Sequence, residues 1–86
     1  MSADTSQRLR DTILELSRGR GPDKTICPSD AARAIDGDNW RELMEQARDA
    51  ARELAREGRV VITQGGKPVD PDSEWRGPIR IAFSAR

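Results

Sequence analysis

Apolar residues recur along this chain in two rhythms, one helical and one alternating. In "TSQRLRDTILELSRGRG", Leu9, Ile13 and Leu16 fall at helical steps with Leu14 beside them. Arg8, Arg10, Asp11 and Glu15 take the opposite face. That spacing gives one buried stripe and predicts a first helix from Ser6 to Arg18, with residues 1–5 disordered ahead of it. Gly19, Gly21 and Pro22 mark its end. A shorter stripe follows in Ala31, Ala32 and Ile35. Ser29 is the expected N-cap there, Asp30 sits near the positive end of the helix dipole, and Gly37 is the stop. The third stripe is the strongest, with Trp40, Leu43, Met44, Ala47, Ala50, Ala51, Leu54 and Ala55 on one broad face. Asn39 and Glu42 have the spacing of a capping box, and Gly58 stands where a helix turns off. The predicted helix runs from Trp40 to Glu57.

The alternating rhythm appears twice after that helix. "RVVITQ" places Val60 and Ile62 on one face, and "PIRIAFS" sets Ile79, Ile81 and Phe83 against Arg80, Ala82 and Ser84. Both read as half-buried strands. Between them "GGKPVDPDSEWRG" is too rich in Gly, Pro and Asp for regular structure. Thr25 and Ile26 suit one more short strand before Cys27, which Pro28 pushes toward an extended backbone. The order helix, strand, helix, helix, strand, loop, strand predicts a single α+β domain over residues 1–86. It is the order of a winged helix: a three-helix helix-turn-helix core with a small three-stranded antiparallel sheet and the Gly/Pro loop as the wing.

Charge changes the picture of partners. Charged residues make up 35% of the 86 residues, and fifteen basic side chains balance fifteen acidic ones. The pI of about 6.2 is well below the basic range common in dedicated nucleic-acid binders. No apolar run is long enough to span a bilayer, and the first residues lack the apolar core of a signal peptide. With one cysteine there is no intramolecular disulfide to form. The expectation is a reduced, cytoplasmic protein.

Few residues offer chemistry. Cys27 has no histidine to act as its base and no companion ligands for zinc, so a packed thiol at the strand-to-helix corner outweighs a nucleophile. Ser29 is favoured as a cap over a catalytic serine for the same reason. Asp70, Asp72 and Glu74 lack the glycine and terminal glutamate of a calcium loop. Gly65 and Gly66 precede no helix and read as turn glycines rather than a phosphate cradle. No cofactor and no enzymatic activity are expected. Trp40 belongs near the core face. Trp75, in a polar loop, either folds back onto the domain or stands exposed as an anchor for a partner.

"TICPSDAARAI", "WRELM", "ARDAARELAREGRVVITQGGKPVDP" and the closing "GPIRI" together carry a family likeness. Over about residues 9 to 83 the chain resembles a bacterial winged-helix family of unknown function. The resemblance supports the fold and implies no activity.

The arginines therefore carry the functional expectation. In DNA-binding winged helices the third helix enters the major groove and the wing touches backbone or minor groove. The expected nucleic-acid contacts are Arg41, Arg48 and Arg52 on that helix and Lys67 and Arg76 on the wing, with duplex DNA as partner. Glu42, Glu45, Asp49, Glu53 and Glu57 share the helix with Arg41, Arg48, Arg52 and Arg56, and pairs such as Arg41 with Glu45 or Asp49 with Arg52 would neutralise it. That favours the alternative, a protein-interaction module or homodimer that meets its partner through Trp75 and the wing. Arg33, Arg41 and Arg80 either form salt bridges with Asp30, Asp36 or Asp38, or bind phosphate or an acidic partner.

Overall fold

Nothing between Ser2 and Leu9 interrupts a helix, and the first helix forms there. The computed structural model describes residues 2–21 and 24–84. α1 spans Ser2–Arg20, so residues 2–5, expected to be disordered, belong to it. The pattern missed this turn because it carries no large apolar residue. Gly21 ends the helix, with a positive φ of 86° and its N–H donating to the carbonyls of Ser17 and Arg18. Pro22, the expected breaker, lies outside the described residues.

β1 (Thr25–Ile26) follows, then α2 (Pro28–Ile35). The N-cap of α2 is Cys27, not Ser29. Pro28 is pre-set for the first helical position, where no N–H is needed, and this moves the start two residues upstream of the one expected from a Ser29 cap. Asp30 then reaches back, its Oδ2 accepting the Cys27 N–H at 2.9 Å. α2 stops before Gly37, at Ile35. Asp36 closes the turn, with Oδ1 accepting the N–H groups of Asp38 and Asn39 at 3.2 Å each.

The predicted third helix is two elements. Trp40–Leu43 is a 3-10 helix, and α3 (Met44–Arg56) continues from it. The Asn39–Glu42 capping box does not form, because the Asn39 side chain makes no cap bond; only its carbonyl accepts the Glu42 N–H. At the other end Gly58 does what its position implies. With φ of 77° it lets Arg59 N–H reach the Leu54 carbonyl and its own N–H reach that of Ala55, the paired bonds of a Schellman turn.

That turn feeds β2 (Val60–Gln64). Gly65 and Gly66, both with positive φ, make the two-residue turn into β3 (Lys67–Pro68), where Gln64 faces Lys67. Paired positive φ values are the mark of the tight hairpin turn that suits strand twist. β4 (Arg80–Phe83) pairs with β2 on its other side, Ile62 opposite Ile81, and with β1, Ile26 opposite Ile81. The sheet thus has four antiparallel strands in the order β1-β4-β2-β3, not three. The extra strand is Lys67–Pro68, inside the loop expected to be irregular. Among the described residues the fold is α+β, with three α-helices and an antiparallel sheet, compatible with a winged-helix-like fold.

The core lies between the helices and one face of the sheet. Leu9, Ile13 and Leu14 meet Ala47, Ala50, Ala51 and Leu54, with Ile26, Val60, Ile62, Ile79 and Ile81 beneath. Small side chains on α3 let α1 pack against it. Arg10 ties the same two helices at their rim, to Glu53 at 3.0 Å and Glu57 at 2.9 Å. Exposed pairs of this kind contribute well under the burial they border.

The Asp36 turn has a pH signature. The backbone N–H groups of Asn39 and then Asp38 favour its charged form and hold its pKa below the ordinary 3.8. A lowered folded-state pKa gives stability that is complete above 3.8 and lost as pH falls through the lower folded value. The expected result in a carboxyl NMR titration is an Asp36 midpoint below 3.8. A midpoint at the ordinary value would mean that the turn does not persist in solution.

Candidate functional site

α3 carries Arg48, Arg52 and Arg56 at four-residue steps, which puts them on one side of the helix. The segment after β3 lies along that side. Arg48 donates to the carbonyls of Gly77 and Trp75 at 3.3 and 3.4 Å. Arg52 donates to Pro71 O and, at 2.9 Å, to Ser73 O. Arg56 meets Asp72 at 2.5 Å. The segment therefore runs antiparallel to α3, with Asp72 beside the helix end and Gly77 toward its start.

Trp75 sits beneath these arginines. It is 8% exposed, with Nε1 donating to Asp70 O at 3.1 Å and the Arg52 guanidinium 4.0 Å from its ring centre. The ring folds back onto the domain, which is the first of the two alternatives the sequence left open, and it does not stand exposed as an anchor. Its indole satisfies its own N–H inside the loop, which makes burial favourable. Asp70 shapes the loop further, with Oδ1 accepting the Asp72 N–H at 2.8 Å and the carbonyl accepting the Ser73 hydroxyl at 2.7 Å. Among the described residues no acidic cluster is arranged to hold a metal ion.

The intrahelical pairs expected on α3 do not form either. Arg52 turns to loop carbonyls instead of Asp49, and Arg41 makes no ion pair with Glu45. Arg41 instead places its guanidinium 4.7 Å from the ring centre of Trp40, and Arg33, from α2, lies 4.3 Å from the same centre. Trp40 is half-buried while both arginines are exposed. Among the described residues neither guanidinium has a hydrogen bond or a carboxylate within ion-pair distance, so the salt bridges to Asp30, Asp36 or Asp38 are absent.

Lys67 and Arg76 are exposed. The Gln64 amide, opposite Lys67 in the hairpin, donates to Arg76 O and to Pro78 O at 3.3 Å. This ties the hairpin tip to the loop near Arg76. Arg76 adjoins Gly77, whose carbonyl accepts from Arg48. Of the five expected contacts, Arg41, Lys67 and Arg76 are exposed, and Arg48 and Arg52 are committed to the loop.

A profile of the family described as "Protein of unknown function (DUF3253)" matches residues 6–84. The chain belongs to that family. A search of curated proteins finds no match. The DUF3253 match spans all of the β-sheet, α2 and α3, and so includes every residue of the loop clamp and of the Trp40 cluster.

One contact of this DUF3253 domain was not readable in the sequence. Arg80 reaches across β1, with Nε to Thr25 Oγ1 at 2.8 Å, Nη2 to Thr25 O at 3.1 Å and Nη1 to Cys27 Sγ at 2.6 Å. Thr25 and Cys27 lie more than fifty positions away in sequence, and only the β1–β4 pairing brings them together. Cys27 thus sits half-buried at the strand-to-helix corner, beside a guanidinium.

The loop clamp makes a direct prediction. Arg52→Ala removes charge-assisted bonds to two carbonyls, worth about 1.5–3 kcal/mol together with the neighbouring group left bare, and opens the cover over Trp75. In a Trp40→Phe background the emission of Trp75 is expected to shift to the red, and chemical denaturation is expected at lower denaturant. Arg52→Lys keeps the charge but loses the planar stack, so it should recover only part of the loss. Unchanged emission and stability in Arg52→Ala would show that the loop holds without the arginine.

Proposed function

We propose that this DUF3253 chain is a winged-helix protein that binds nucleic acid, with duplex DNA as the partner and no catalytic role. The observation that carries the reading is a group of exposed cations without carboxylate partners, Arg33 and Arg41 around Trp40 and Lys67 and Arg76 on the hairpin and the loop after it. Two of them stand on a helix-turn-helix, α2 followed by the 3-10 helix and α3. The other two stand on the hairpin and loop that follow, in the place of a wing. Phosphate contacts supply most of the affinity of such proteins, and guanidinium and ammonium groups not already neutralised are what phosphates require. Arg48, Arg52 and Arg56 are outside the contact surface in this reading, since the wing segment occupies them. Asp38, Glu42 and Glu45 flank Arg41 in sequence and weaken the field, so binding is expected to be modest and steep in salt.

A second reading rests on a different surface. Val61 is 39% exposed beside a groove lined by Ala55, Val69 and Pro71, with a volume of about 270 Å³. A protein partner would meet the domain there rather than at Trp75, and this reading gains if nucleic acid fails to bind.

Titrating a labelled duplex of random sequence into the protein, at several salt concentrations, decides between them. Binding should fall linearly in log–log form, and Lys67→Ala and Arg76→Ala should each weaken it and lower the slope by about 0.9. Arg56→Ala, which removes an arginine already paired with Asp72, should leave the slope unchanged. No binding at about 20 mM salt, where counterion release most favours association, would sink the nucleic-acid reading.

A further inference from the structure

We infer that Arg33 and Arg41 form a clamp for nucleic-acid backbone phosphates, with Trp40 as the positioning residue that holds both guanidiniums. The inference rests on the nucleic-acid reading above and names the contact within it. Both guanidinium carbons lie over the Trp40 ring, at 4.3 and 4.7 Å from its centre. The two charges are therefore no farther apart than the sum of those distances. Like charges held this close repel, and no carboxylate among the described residues lies within ion-pair distance of either. Cation–π attraction to the indole offsets part of that repulsion. An anion offsets more, because each guanidinium presents a planar fork of N–H donors suited to two phosphate oxygens.

The surrounding acids are accounted for. Asp30 is turned to the Cys27 N–H, and Asp36 to the N–H groups of Asp38 and Asn39. Asp38, Glu42 and Glu45 are exposed, and among the described residues none forms an ion pair or hydrogen bond with either guanidinium. The clamp also has a defined chemistry of recognition. Two cations already lie over the Trp40 ring, so a nucleobase stacking there would have to displace one. Contact is thus with the backbone, does not depend on sequence, and suits a duplex at least as well as a single strand. Arg33 stands on α2, so the contact surface extends beyond the third helix to the helix before the turn.

The test is the duplex titration repeated with Arg33→Ala, Arg41→Ala, Arg33→Lys and Trp40→Leu, each first shown by circular dichroism to be folded. Two duplexes of unrelated sequence and a single strand of equal length serve as probes. The clamp predicts that each alanine variant weakens both duplexes by the same factor and lowers the salt slope by about 0.9. Arg33→Lys should keep the slope but not the full affinity, since the charge remains and the fork is lost. Trp40→Leu should weaken binding without lowering the slope, since both charges stay. If Lys67→Ala and Arg76→Ala weaken binding while Arg33→Ala and Arg41→Ala do not, the nucleic-acid reading stands and the clamp is wrong. A preference for the single strand that vanishes in Trp40→Leu would replace the clamp with base stacking. A wild-type protein that binds no duplex removes both.

Discussion

The burial of Trp75 under Arg52 holds together the half of the fold that helix packing alone does not. Between β3 and β4 the chain has a stretch with no regular hydrogen-bond ladder, yet it must deliver Ile79 and Ile81 to the core in register with β2. An indole fixed against α3, with its N–H satisfied by Asp70 and its ring under a guanidinium, sets the position of that stretch. Arg48 and Arg56 extend the hold to either side, toward Gly77 and Asp72. The loop is thus a packed part of the domain and not a free extension. In a chain of 86 residues, where little apolar surface is available, one buried tryptophan is a large share of the core.

This constraint also decides which arginines remain for a partner. An arginine that donates to two carbonyls and covers an aromatic ring has little to offer a phosphate, because recruiting it would uncover Trp75 and leave carbonyls bare. Removing such donors carries the full cost of the unsatisfied groups. Among the cations that meet no such demand are Arg33 and Arg41 around Trp40, and Lys67 and Arg76 on the hairpin and loop. Net charge near zero hides this division. On α3, Arg48 and Arg52 are half-buried along the loop and the exposed Arg56 is paired with Asp72.

Much of the architecture was legible because it follows from local pattern. The stripes of α1 and α3, the alternation in β2 and β4, and the glycine that ends α3 are each determined within a few residues of sequence. The failures share a cause. The N-terminal turn of α1 has no large apolar residue to mark it. The cap of α2 went to Cys27 because Pro28 fits the first helical position better than the residue before it. The 3-10 helix at Trp40–Leu43 and the short strand at Lys67–Pro68 depend on what packs or pairs with them. The candidate site was less legible. Arg41 and Arg76 drew notice as charges, but the partner of each arginine depends on contacts between distant segments. Nothing in the spacing of Arg33 and Trp40, on opposite sides of a turn, announces that they stack.

The same reasoning distinguishes the two clusters of arginine and tryptophan. Both place two guanidiniums near one indole, Arg48 and Arg52 at Trp75 and Arg33 and Arg41 at Trp40. At Trp75 each guanidinium donates to two carbonyls and the ring is buried, so the arrangement is held within the domain. At Trp40 the ring is half-buried, the guanidiniums are exposed, and their N–H groups point to no acceptor in the described chain. A stack of the first kind stabilises a loop. A stack of the second kind keeps two cations extended and close, which costs repulsion and side-chain entropy without any internal hydrogen bond to offset them. Cation–π attraction alone is worth about 0.5–1 kcal/mol at an exposed site, too little to make the cluster a major source of stability. Its chemistry fits an external acceptor better than an internal one.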